Sequence, residues 1–335
     1  MFRKIILGFL FSVFCSVSFA MTEGAEGPKF VLLPNVKTKY LMSTDATKAV
    51  TIENQSIELV KKTLNITSAS PYKTVRIRTV YNDNNQVQSL IVYLLSSRYK
   101  SVELVKINVT KQFTVESVVN NYQLQSEDLK QSPNYANKST PHCPDETVQF
   151  VIGNNFDYER SVEKEVQKVY QMAKDKGYNP FLMDVNNPNG PQPTVKAYED
   201  WLSCPNLKGF YNESHGYQQG IVLSDDDFTF THVENDLIGK LNHEVILFDS
   251  CVTFHDPLLS TMTKSDKGDA QQYVAGLIYL PFGPSERTAS CFWERAFNHE
   301  ELNADMLADC SYKFDLDPKG FGITGNGDKH LTPAA

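Results

Sequence analysis

The sequence has no surplus of positive charge. Forty acidic residues outnumber 32 basic ones, giving a net charge of −8 over 335 residues, and no basic stripe interrupts that balance. A groove built to neutralise phosphates shows such a stripe, so nucleic acid is not an expected partner. Beyond Cys15 no run approaches the roughly 18 apolar residues that a membrane-spanning helix needs. Repeats and low-complexity tracts are missing too, and with 41% hydrophobic residues the composition excludes a disordered tail, a collagen-like repeat and a bare coiled coil. Metal-ligand clusters do not occur. His255 stands four residues after Cys251 with no further ligand nearby, and Asp225-Asp226-Asp227 lacks the spaced ligands of a calcium loop and reads as a solvated turn. No metal or cofactor is expected.

What is present begins with an address label. Arg3 and Lys4 precede an apolar run from Ile5 to Cys15, and Ser18-Phe19-Ala20 supplies a small-x-small site. This is the layout of a secretory signal peptide over residues 1–20. Phe14 before Cys15 does not fit a lipoprotein signal. The expected mature protein is soluble, without a transmembrane segment, and secreted or periplasmic. Five cysteines remain after removal of the leader: Cys143, Cys204, Cys251, Cys291 and Cys310. Exported cysteines tend to pair, so an odd number leaves a free thiol. If that thiol is Cys251, three pairings of the other four stay open.

The mature chain divides by pattern. Residues 21–124 read as a small α+β domain. Thr74–Tyr81, Val87–Leu95 and Ser101–Val109 are predicted strands around the turn Asn82-Asp83-Asn84-Asn85, and Ile57–Leu64 and Val115–Tyr122 are predicted short helices. Residues 125–144, carrying Pro133, Pro141 and Pro144, read as a linker. Residues 145–335 alternate strand and helix. Val148–Ile152, Pro180–Val185, Leu207–Asn212, Glu244–Phe248 and Val274–Leu280 are predicted strands. Ser161–Lys176, Thr194–Ser203, Val233–Leu241 and Ala289–Phe297 are predicted helices, and Ile221–Leu223 with Phe228–Phe230 a hairpin. The expected class is α/β, a mostly parallel sheet covered by helices on both faces.

Functional groups in such sheets gather past the carboxyl ends of strands. Two ends carry reactive residues: Leu207–Asn212 runs into Glu213-Ser214-His215-Gly216, and Glu244–Phe248 into Asp249-Ser250-Cys251. A thiol of ordinary pKa, about 8.5, attacks poorly at neutral pH. An adjacent imidazole favours the thiolate and later protonates a leaving amine. The N–H groups of Gly216 and Cys251 are placed to hold a developing oxyanion, an effect worth roughly 3 to 4 kcal/mol per donor.

Residues 148–300 resemble the caspase-like cysteine peptidases, the group of clostripain, gingipains, legumain, metacaspases and caspases. The resemblance rests on Gly209-Phe210-Tyr211-Asn212-Glu213-Ser214-His215-Gly216, on Ile221-Val222-Leu223-Ser224-Asp225, and on Val245-Ile246-Leu247-Phe248-Asp249-Ser250-Cys251, in that order. It implies a caspase-like fold, an endopeptidase acting on a polypeptide substrate, His215 as general base and Cys251 as nucleophile. It also implies Asp249 at the base of a pocket for Arg or Lys, through charge-assisted bonds. Val252-Thr253-Phe254 stands where metacaspases carry His-Ser-Gly. The N-terminal domain is expected to act as a propeptide or docking module, with Lys130 and Lys138 as self-cleavage positions. The alternative is a catalytically inactive binding protein that keeps the sheet as scaffold.

Overall fold

Short apolar runs between polar turns make strands that must be covered on both faces, and this chain builds its larger sheet from such runs. The computed structural model describes residues 27–96, 99–132, 139–157, 159–241, 243–264, 272–324 and 330–333. The expected leader, residues 1–20, lies outside the described residues. The strands are β1 (Lys29–Leu33), β2 (Tyr72–Tyr81), β3 (Val87–Ser96), β4 (Val102–Val109), β5 (Val115–Asn120), β6 (Phe150–Asn154) and β7 (Pro180–Asp184). They continue with β8 (Gly209–Glu213), β9 (Gly216–Tyr217), β10 (Gly220–Val222), β11 (Asp227–Thr229), β12 (Val245–Asp249), β13 (Gln272–Gly276) and β14 (Phe321–Ile323).

The result is a mixed α/β architecture. Six strands form a sheet in the order β14-β13-β12-β8-β6-β7, parallel throughout except where β14 runs against β13. Every residue of β6, β8 and β12 is buried. Helices Arg160–Asp175, Pro284–Phe297 and Ala304–Lys313 cover one face. The first turns Val162, Val166, Val169 and Ala173 inward, at the spacing read from the sequence. Trp293 anchors this layer against Phe150, with ring centroids 4.7 Å apart. Helices Val195–Leu202 and Leu258–Lys264 cover the other face with Tyr198, Trp201, Leu258 and Met262. Disulfides join Cys143 to Cys204 and Cys291 to Cys310, leaving Cys251 free.

The N-terminal residues form a second sheet, β1-β2-β3-β4-β5, backed by helices Val36–Thr44 and Ala46–Thr63. Its β1 is parallel to β2 and the rest is antiparallel. A helix predicted over Val115–Tyr122 is instead strand β5. The spacing Val115, Val118, Val119, Tyr122 imitates a helix, but the β-branched valines pair along the edge of β4 and all six residues are exposed. The helix predicted over Val233–Leu241 is one turn, Phe230–His232, followed by a π-turn, Val233–Leu237. Gly239, at φ +69°, then turns the chain away.

The two sheets are fastened by buried charge. Asp226 and Asp227, expected on a solvated turn, are 2% and 1% exposed and face the Arg78 guanidinium of β2. Ser132 also donates to Asp226, and Tyr217 Oη donates to Asp227 at 2.8 Å. Leu33, Val80, Tyr93, Leu129, Tyr217 and Val222 pack around this lock. Among the described residues no helix is long and apolar enough to cross a membrane. Arg78→Ala strands two buried carboxylates, so it should lower the stability of the protein by about 3–5 kcal/mol in chemical denaturation. A loss below about 1 kcal/mol would show that the pair does not hold the sheets together.

Candidate functional site

The register of the parallel sheet places the site. On neighbouring strands, Glu213 at the end of β8 pairs with Asp249 at the end of β12, so His215 and Cys251 each lie two residues past paired positions on the same rim. Beneath them the hydroxyls of Ser214 and Ser250 meet at 2.9 Å, and Asn212 Nδ2 donates to both at 2.9 Å. Tyr198 Oη in turn holds Asn212 Oδ1 at 2.6 Å. This network fixes the residues immediately before the histidine and the cysteine. Gly216 presses on the same spot: a Cβ there would stand 2.7 Å from the Cys251 carbonyl oxygen and 2.7 Å from Ser250 Cβ. No larger residue fits unless the rim opens.

Both reactive side chains are buried. The Cys251 thiol accepts a hydrogen bond from the Leu280 N–H at 3.1 Å, and burial pushes its pKa up to about 12. The strand predicted over Val274–Leu280 ends at Gly276, and it is the irregular chain beyond it that brings Leu280 to the sulfur. The His215 ring packs edge-on against Phe156 at 4.9 Å, and its Nδ1 is buried without a hydrogen-bond partner. Burial pulls its pKa down to about 3, against an opposing effect of the Lys100 backbone. The resting pair is therefore a neutral thiol and a neutral imidazole. A cavity of about 330 Å³ opens beside His215, with Leu32, Lys73 and Arg76 on one wall and Phe156 and Phe282 on the other.

Asp249 is also fully buried, and its partner comes from the other sheet. The connection between β3 and β4 carries Lys100 into the rim, where its ammonium lies 2.7 Å from Glu213 Oε2, 3.0 Å from Asp249 Oδ2 and 3.4 Å from Glu286 Oε1. Phe156 and Phe282 flank it, with ring centroids 5.6 and 5.8 Å from the nitrogen. Burial opposes the lysine's charge, but Asp249, Glu213 and Glu286 outweigh it and raise the pKa. Burial, with Asp249 beside it, pushes Glu213 well above the ordinary carboxylate range.

The backbone around Lys100 lies as a short added strand. Tyr99 bridges Pro281 in antiparallel fashion and Ser101 bridges Gly216 in parallel. The Lys100 N–H donates to the Leu280 carbonyl at 3.4 Å, and the Lys100 carbonyl accepts from the Gly216 N–H at 3.3 Å. The carbonyl thus sits on one of the two donors expected to form an oxyanion hole.

The sequence reading missed Lys100, Glu213, Glu286 and the Phe156–Phe282 walls. Glu213 carried a signal, a carboxylate aligned with Asp249 one strand away, which becomes visible only once the register is known. Lys100 carried none. His255 is spent on the Leu277 carbonyl at 2.8 Å, and among the described residues no group of His, Cys, Asp and Glu is arranged to hold a metal ion.

No protein-family model matches the chain, and no curated protein matches it. Among solved structures it is similar to the complex of the pro- and mature domains of RgpB from Porphyromonas gingivalis, at 11% identity and a TM-score of 0.44. That match covers 58% of this chain and 51% of the other, so the chain spans about half the neighbour's length.

Cys143, Cys204, Cys291 and Cys310 are held in disulfides, so in protein expressed without residues 1–20, which carry Cys15, alkylation by iodoacetamide reports Cys251 alone. In the intact protein its rate should rise about tenfold per pH unit from pH 7 to 9.5 without a plateau, because only the thiolate reacts and the thiol stays protonated throughout that range. A plateau near pH 8 to 9 would mark an ordinary, accessible thiol.

Proposed function

We propose that the chain is an exported, caspase-like cysteine endopeptidase that cleaves polypeptides after a basic residue, and that residues 99–101 occupy its own cleft. One observation carries this reading: Lys100 sits as a substrate residue would, with its side chain on Asp249, its carbonyl on the Gly216 N–H and its backbone bridged to both rims of the cleft. The two disulfides fit an oxidising compartment. The N-terminal sheet then serves as the shielding module, and the lysine it presents is Lys100. Lys130 instead pairs with Glu127 at 2.7 Å on the surface, and Lys138 lies outside the described residues.

The chemistry follows from the placement. With the segment displaced, water reaches the rim and relieves the burial that holds both groups neutral. His215 takes the Cys251 proton as the sulfur bonds to the substrate carbonyl carbon. The carbonyl oxygen gains charge against the N–H groups of Gly216 and Cys251. Collapse breaks the carbon–nitrogen bond, and the proton held by His215 leaves with the amine. A water molecule deprotonated by His215 then attacks the thioester, releasing the new carboxylate and restoring the thiol.

Lys100→Ala should therefore cleave fluorogenic peptides with Lys or Arg before the reporter. Adding Cys251→Ala should lower kcat/KM by roughly 10³-fold or more, the scale of losing a catalytic nucleophile. Equal cleavage by the single and double variants would end the peptidase reading. A folded Lys100→Ala protein that cleaves nothing would favour the non-catalytic binding scaffold.

A further inference from the structure

Resting on the reading above, we infer that the pocket is a cage for an ammonium group, in which Glu213 and Glu286 join Asp249 to select lysine over arginine at the residue before the cut. The three carboxylates reach one nitrogen from three separate elements: the end of β8, the end of β12 and the first turn of helix Pro284–Phe297. An ammonium suits that arrangement, because its three N–H bonds diverge from a single atom. A guanidinium spreads its donors in one plane and is best met by a carboxylate lying flat against it.

Arginine is also one bond longer than lysine and forks at its end. Lengthening is not absorbed here, since Lys100 and all three carboxylates facing it have no exposed side-chain surface. Two of the carboxylates are pinned from behind. The Tyr211 hydroxyl donates to Glu213 Oε1. The Gly283 N–H and Ser285 Oγ both donate to Glu286 Oε2, which closes the cap of its helix. Both Asp249 oxygens and Glu286 Oε1 lack a hydrogen-bond partner of their own, and Asp249 Oδ2 and Glu286 Oε1 face the ammonium at 3.0 and 3.4 Å. Phe156 and Phe282 close the sides around the ammonium, where a flat, wider group would need them to part.

The intact chain supplies a test that needs no catalysis. Lys100→Arg keeps the charge but changes its shape, and Cys251 alkylation at pH 7.5 reads whether the segment stays seated. The cage predicts that Lys100→Arg labels at least about tenfold faster than the wild type and within a few-fold of Lys100→Ala. Labelling of Lys100→Arg as slow as the wild type would overturn the inference. Circular dichroism confirms that each variant is folded, and Lys100→Met, close to lysine in volume, replaces the alanine variant if that one is not.

Hydrolysis supplies the second reading. In the open-cleft variant, kcat/KM for matched peptides should favour Lys over Arg by at least about tenfold, mainly through KM, and Glu286→Gln should shrink the ratio severalfold. Equal or better cleavage after Arg would overturn the inference while leaving the peptidase reading intact. If nothing is cleaved, the peptidase reading fails and the alkylation comparison still decides the shape of the cage.

Discussion

One buried cation holds the candidate site in its present form. Lys100 brings a single positive charge to three carboxylates that have no solvent-exposed surface, a setting where an unpaired ion costs several kcal/mol. Without that cation the pocket concentrates negative charge, and part of it must be neutralised by protonation. Glu213, pushed upward by burial and by Asp249, takes a proton more readily than an ordinary carboxylate. A pocket in this condition attracts a basic side chain strongly, and the nearest one belongs to the same chain.

The lock between Arg78 and the Asp226–Asp227 pair is the second half of the same arrangement. It ties β2 to the β10–β11 hairpin and so holds the N-terminal sheet where the β3–β4 connection overlies the rim. The two ion clusters are spaced along one sheet and grip one partner. Each is costly if broken on one side only. Burial is the leading cause of the shifts that keep Cys251 and His215 neutral.

Much of the larger sheet was legible because its strands announce themselves. Phe150-Val151-Ile152 and Val245-Ile246-Leu247-Phe248 are apolar on both faces, and helix Arg160–Asp175 repeats its valines at helical spacing. Elements whose identity depends on a neighbour were not legible. Val115–Asn120 reads as a helix until β4 is there to pair with it, and Asp226 and Asp227 read as solvated until Arg78 is brought to them. The rim itself followed the same rule. His215, Gly216, Asp249 and Cys251 could be picked out as local patterns at strand ends, and the register pairs the ends of those two strands at Glu213 and Asp249. Lys100 could not, because nothing in Arg98-Tyr99-Lys100-Ser101 distinguishes it from any surface lysine. Only its position 113 residues before Glu213 in sequence, yet 2.7 Å away in space, gives it a role.

In the proposed mechanism a lysine side chain in this pocket delivers its own carbonyl to Cys251 beside His215. A peptidyl-lysine chloromethyl ketone probes this step, because it reacts rapidly only when the pocket, the thiol and the base act together. Intact mass measurement should show the Lys100→Ala protein gaining one inhibitor on Cys251 within minutes, the wild type reacting far more slowly, and Lys100→Ala with His215→Ala remaining unmodified. Equal labelling of all three, or modification at a residue other than Cys251, would contradict the account.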